Sequence, residues 1–101
     1  MSRKAADWDA VFAKRGETVS REIAGETLLV PIRGKLADLQ RIFAANPVGA
    51  HIWHQLDGRT PLGEVRDSVL DTFDVESERA EADVQDFVAE LLEAGLIEET
   101  S

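Results

Sequence analysis

Residues 46–58, Asn46-Pro-Val-Gly-Ala-His-Ile-Trp-His-Gln-Leu-Asp-Gly58, follow the apolar segment Ile42 to Ala45 and lead into Arg59-Thr60-Pro61. They compress a strand end, a short helix and a turn. Asn46 can stop a strand and accept from the first free N–H groups of a helix. Pro47 suits a first helical position, because its missing N–H would go unbonded there, and Asp57-Gly58 supplies a stop. Val48, Ile52, Trp53 and Leu56 then share one helix face.

Towards the C-terminus two more amphipathic segments follow. The second helix is expected to start from a Thr60 N-cap with Pro61 at its first position, burying Leu62, Val65, Val69, Leu70 and Phe73. In the third, Ala80, Val84, Phe87, Val88, Leu91 and Leu92 repeat at helical spacing, and Gly95 stands where a left-handed stop belongs.

Towards the N-terminus the period changes. Val19, Arg21 and Ile23 alternate with polar neighbours, Ala24-Gly25 makes a two-residue turn, and Glu26 to Ile32 forms the return strand, with Leu28, Val30 and Ile32 facing one way. Pro31 cannot donate to a ladder, which places it at an edge or near a strand end. Between them, Leu36, Leu39 and Ile42 or Phe43 recur at helical spacing, yet Arg41 to Ala45 also serves as a short third strand. A loop through Gly34 and a strand over 41–45 is the reading adopted. Residues 1–16 read as a tail or a short helix capped by Asp7, with Trp8, Val11 and Phe12 on one side. The expected class is α+β, a three-stranded antiparallel sheet packed on three helices, with the folded domain spanning 17–98.

The 101-residue length allows one small core. No apolar run approaches membrane-spanning length and the first residues lack a secretory apolar stretch, so a cytoplasmic protein with no membrane partner is expected. Without cysteine, the chain has no disulfides, no thiolate nucleophile and no cysteine-ligated metal. The net charge of −9 is uneven: residues 1–63 carry nine Lys/Arg against seven Asp/Glu, whereas residues 64–101 carry two against thirteen. Nucleic-acid binding releases counterions only where positive charge is concentrated, so a third helix bearing Glu78, Glu81, Asp83, Asp86, Glu90 and Glu93 opposes it. Much of that charge is what any solvated helix face would carry.

His51 and His54 stand three apart on the first helix, a spacing that can share a metal, but nothing supplies further ligands and they read as surface polar positions. Paired carboxylates along an exposed helix lack the contrasting environments that acid–base catalysis requires. Serine-nucleophile, phosphate-loop and dinucleotide motifs are missing. A non-enzyme needing no metal or cofactor is expected, and surface recognition remains. A three-stranded sheet leaves an edge, and Arg41, Ile42, Phe43, Ala44 and Ala45 include no lysine, acid or proline to blunt it. That edge can accept an added strand.

From Arg21 to Ile97 the sequence resembles the PqqD family. The resemblance is carried by Asn46, Gly49-Ala50, Ile52-Trp53, Leu56-Asp57-Gly58, Thr60, Glu64-Val65, Phe73-Asp74-Val75, Asp83-Val84, Phe87, Leu91 and Gly95-Leu96-Ile97. Ala45 replaces a leucine common before the asparagine, and Pro61-Leu62-Gly63 makes a connection one residue longer than usual. The resemblance implies a winged helix-turn-helix-like fold and a peptide chaperone that recognises ribosomally synthesised precursors. Such a protein binds the leader as a strand between the third strand and third helix, for a modifying enzyme that is often a radical S-adenosylmethionine protein. The expected peptide-binding residues are Arg41, Ile42, Phe43, Ala44 and Ala45 on the strand, with Arg79, Asp83, Asp86, Phe87 and Glu90 on the helix. The opposite flank holds Gln85, Val88 and Leu92. The alternatives are a DNA-binding winged-helix regulator and a structural adaptor docking through Trp8, Val11 and Phe12.

Overall fold

The computed structural model describes residues 8–32 and 42–100. In chain order the elements are β1 (Val11–Lys14), β2 (Thr18–Ile23), β3 (Glu26–Pro31), β4 (Phe43–Ala45), α1 (Pro47–Gln55), β5 (Asp57–Pro61), α2 (Leu62–Thr72), α3 (Ser77–Ala94) and β6 (Ile97–Thr100). The class is α+β as expected, but the strands form two antiparallel sheets, ordered β2-β3-β4 and β5-β1-β6.

The first sheet follows the sequence pattern. Ala24 and Gly25 both take positive φ, 52° and 83°, the geometry of the two-residue turn whose twist matches paired strands. The pair Ile23 and Glu26 closes the hairpin. The core-facing residues of β3 are Thr27, Leu29 and Pro31, so Leu28 and Val30 share the outer face. The expected strand over 41–45 is shorter, at Phe43–Ala45, and Arg41 lies outside the described residues.

The second sheet corrects the reading of residues 8–16, while residues 1–7, with the expected Asp7 cap, lie outside the described residues. Val11–Lys14 is a strand, not a tail or a helix, and it pairs with β6 from Val11↔Thr100 to Lys14↔Ile97 and with β5 on its other side. Phe12 is 5 % exposed within the protein's own core, which removes it from the docking face imagined for an adaptor. Lys14 ties this sheet to α1. Its Nζ donates to Leu56 O at 3.0 Å, at the helix C-terminus where a cation is favoured, and stands 4.9 Å from the Trp53 ring centroid. Burial holds this ammonium below its ordinary value, with the Asp57 carboxylate acting in the opposite direction.

Helix α1 starts as the sequence predicts, with Asn46 extended and its Oδ1 accepting from Gly49 N at 2.8 Å. Helix α2 does not. Thr60 belongs to β5, and its N–H and hydroxyl are spent on the Asp57 carboxylate at 3.0 and 3.2 Å. Pro61 occupies the N-cap without a side-chain bond. Instead, Leu62 N donates to Ala10 O at 2.9 Å and Gly63 N to Trp8 O at 2.8 Å, so the N-terminal segment satisfies two of the free N–H groups that begin any helix. Helix α3 ends as expected at Gly95, φ 79°, with Gly95 N bonded to Leu92 O and Leu96 N to Leu91 O, both at 3.0 Å.

The core lies between the sheets and helices. Ile52, Trp53 and Leu56 meet Leu62, Val65 and Val69 of α2, Ala80, Val84, Val88 and Leu91 of α3, and Phe12, Leu29 and Ile97 of the strands. Trp53 is 2 % exposed. Leu70, Phe73 and Phe87 are only half-buried at its margin.

Candidate functional site

The hairpin register fixes which backbone groups the first sheet leaves free. In an antiparallel pair, residues alternate between those whose N–H and C=O face the partner and those whose groups face away. The pair Ile23 and Glu26 closes a two-residue turn, so even-numbered residues of β3 bond to β2; the bond from Ile32 N to Glu17 O, 2.9 Å, continues that alternation. Thr27 and Leu29 therefore face β4, where their partners are Ala45 and Phe43. Ala44 pairs with Leu28 in the intervening position, and its own N–H and C=O point away from the sheet. Ala44 is also exposed, whereas the side chain of Ala45 is buried on the core side and that of Phe43 half-buried against it.

Across from this edge stands α3. Ala44, Ala45, Asn46, Val48, Gly49 and Ile52 form one side of a cavity of roughly 220 Å³, and Asp83, Asp86, Phe87 and Glu90 form the other. Of the ten residues expected to bind peptide, the structure brings six to this cavity: Ala44, Ala45, Asp83, Asp86, Phe87 and Glu90. Arg79 lines the adjoining hollow with Asn46, Val48, Val75, Glu76 and Asp83. Its Nε donates to Asp83 Oδ1 at 3.2 Å, an i,i+4 pair along the helix. Phe43 packs against the core rather than lining the cavity, and Ile42, 59 % exposed, lies beside it. The opposite flank of α3 does not enter the cavity: Val88 is core, and Leu92 is 42 % exposed elsewhere.

Reading by residue chemistry missed Gly49. A Cβ there would stand 3.3 Å from Ala45 Cβ and 3.4 Å from both Asn46 Oδ1 and Phe87 Cε1, so the glycine keeps the cavity floor low and lets α1 approach β4. The available signal was a glycine within a helical segment, where it costs stability relative to alanine unless close packing requires it.

His51 is half-buried, not the surface position expected. Its Nε2 lies 2.7 Å from both Ser68 Oγ and Gln55 Nε2, Gln55 Nε2 donates to Ser68 Oγ at 2.6 Å, and the ring meets Phe73 edge-on at 5.5 Å. This cluster fastens α1 to α2, and none of its residues lines the cavity. His54 is exposed. Among the described residues no group of three or more His, Cys, Asp or Glu is placed to hold a metal ion, and no helix is long and apolar enough to cross a membrane.

Comparison with known proteins bears on the whole arrangement. Residues 26–97 match the family model described as coenzyme PQQ synthesis protein D (PqqD). Among solved structures, the chain is similar to TbiB1 in complex with the TbiA(beta) leader peptide, with a TM-score of 0.68 and 24 % identity over 88 % of this chain and 98 % of that one. No curated protein matches the sequence.

Proposed function

The chain belongs to the PqqD family, and on that premise we propose that it captures an extended leader segment of a precursor peptide and presents it to a modifying enzyme. The observation that carries the reading is the outward-facing backbone of Ala44 on an unguarded edge, opposite α3 across a cavity. A peptide lying in that gap would pair with Ala44 as an added strand and set its side chains against Asp83, Asp86, Phe87 and Glu90. The solved relative named for its complex with a leader peptide lends the same support. The role is binding, without catalysis or a cofactor, and the family resemblance favours a radical S-adenosylmethionine protein as the enzyme served.

Magnitudes say where affinity must come from. One residue exchanging two backbone hydrogen bonds contributes about 1–3 kcal/mol net, against roughly 8 kcal/mol for a micromolar complex. Side chains in the groove must therefore contribute most. DNA binding through α3 has the opposite problem, because Glu78, Asp86, Glu90 and Glu93 are exposed along it and would repel phosphate.

The test is a titration of the isotopically labelled protein with the leader segment of its cognate precursor peptide. Amide shifts should concentrate on residues 42–45 and 79–90. Shifts confined to α1 or to residues before β2 would refute strand capture at this edge, and sequence-specific duplex DNA binding at nanomolar concentration would favour the regulator instead.

A further inference from the structure

The cavity beside Ala44 has an apolar floor and a charged wall, and the two together restrict what can enter. Its volume is roughly 220 Å³, room for a side chain rather than a folded element. Ala44, Gly49 and Phe87 supply the apolar part. The wall is a helix face, since Asp83, Asp86 and Glu90 recur at i, i+3 and i+7 on α3. Asp83 already has a cation, Arg79, at 3.2 Å. Asp86 and Glu90, one turn apart, are exposed, and among the described residues no ion pair reaches either.

A wholly apolar side chain in this cavity would strip water from carboxylates and return nothing to them. An acidic one would be repelled. A lysine or arginine lays its methylene stem along apolar surface and keeps its charged head at the rim. We infer that the groove selects a peptide bearing a lysine or arginine, with its stem on Ala44, Gly49 and Phe87 and its cation between Asp86 and Glu90. The inference rests on the strand-capture reading and adds the chemistry of the residue captured. The excess of thirteen Asp/Glu over two Lys/Arg in residues 64–101 would steer such a peptide to this side of the molecule at low ionic strength.

The probe is a phage-displayed library of random twelve-residue peptides selected on the full chain. Enriched peptides are then synthesised and their affinities measured by fluorescence anisotropy. The expected result is a Lys or Arg at one fixed position, with binding roughly three- to tenfold weaker to the Asp86→Asn, Glu90→Gln double variant and with less dependence on salt than for the wild type. N-methylation of alternate peptide residues removes donors from the ligand itself, so strand pairing is tested without disturbing the fold; one alternation should abolish binding and the other spare it. Peptides that lack a basic residue but show this alternation and shift the amides of β4 would overturn the inference and leave strand capture standing. Peptides insensitive to N-methylation in both alternations, or a library yielding no enriched sequence, would overturn both.

Discussion

The two sheets of this protein are the same size and opposite in character. The edges of β5-β1-β6 are protected: β5 carries Asp57, Arg59 and Pro61, and β6 carries Glu98 and Glu99. Charges and proline on an edge discourage pairing with another chain. In β2-β3-β4 the β4 edge is Phe-Ala-Ala, with no charge and no proline. Among the described residues, then, both edges of one sheet are guarded, whereas in the other β2 carries Arg21 and Glu22 and β4 alone has neither device.

If that division is right, damage to the guarded sheet should appear as lost stability, whichever ligand is present. Phe12→Ala empties a buried aromatic position in β1 and should cost about 3–5 kcal/mol, a large share of the roughly 5–15 kcal/mol typical of a domain. Trp53→Ala, which also removes the ring beneath Lys14, should cost a similar amount. Urea denaturation measures both. A loss below 1 kcal/mol for Phe12→Ala would mean that β1 is dispensable and the comparison misdrawn.

Next in size is Gly95→Ala, at the hinge that turns α3 into β6. An added Cβ would meet no atom within 4 Å, so the expense is purely conformational, about 1–2 kcal/mol for holding a non-glycine residue at φ 79°. A larger loss, or a lower denaturant slope, would indicate that the return into the guarded sheet has come apart.

How far these features were legible from sequence depends on whether their cause is local. Asn46-Pro47, Ala24-Gly25 and Gly95 act within their own turns, and each holds the place expected of it. Helix α3 is long enough for its period to be unambiguous. β1 was misread because Trp8, Val11 and Phe12 mimic helical spacing, and its true partners are far away in sequence; Val11 pairs with Thr100. β5 contains glycine and proline and few strand formers, so pairing with β1 decides its state. The same distance explains the false cap at Thr60, since the carbonyls that serve α2 belong to Trp8 and Ala10. For the candidate site, the acidic flank and the strand were readable, but the outward direction of Ala44 required the register, and the part played by Gly49 required the approach of Ala45 and Phe87.

On the open side the expected signature is reversed, with binding altered while stability hardly moves. Asp83→Ala gives up an exposed pair with Arg79 of about 0.3–0.5 kcal/mol and gains helix propensity of similar size, so the melting temperature should stay within about a degree or two. Affinity for a bound leader should fall a few-fold. Should Asp83→Ala unfold the protein instead, this flank of α3 is structural, and the peptide must be sought beside Gln85 and Leu92.

The smallest effect concerns the turn that leads into the guarded sheet, and it is visible only in acid. Asp57 accepts from Arg59 N at 2.9 Å, from Thr60 N at 3.0 Å and from the Thr60 hydroxyl at 3.2 Å. The hydrogen bond from the Arg59 backbone does most to hold this carboxyl below its ordinary value of 3.8, and the bonds from Thr60 act in the same direction. Because the folded value is the lower one, the unfolded chain binds more protons at acid pH. The stabilisation is therefore fully present above about pH 4 and disappears as pH falls through the folded value. Asp57→Asn keeps an acceptor but not the charge, so its urea midpoint should lie slightly below that of the wild type at pH 7, and the two should converge towards pH 2. A gap that stays constant down to pH 2 would show that Asp57 holds β5 by shape alone, and that charge guards this edge only through its neighbours.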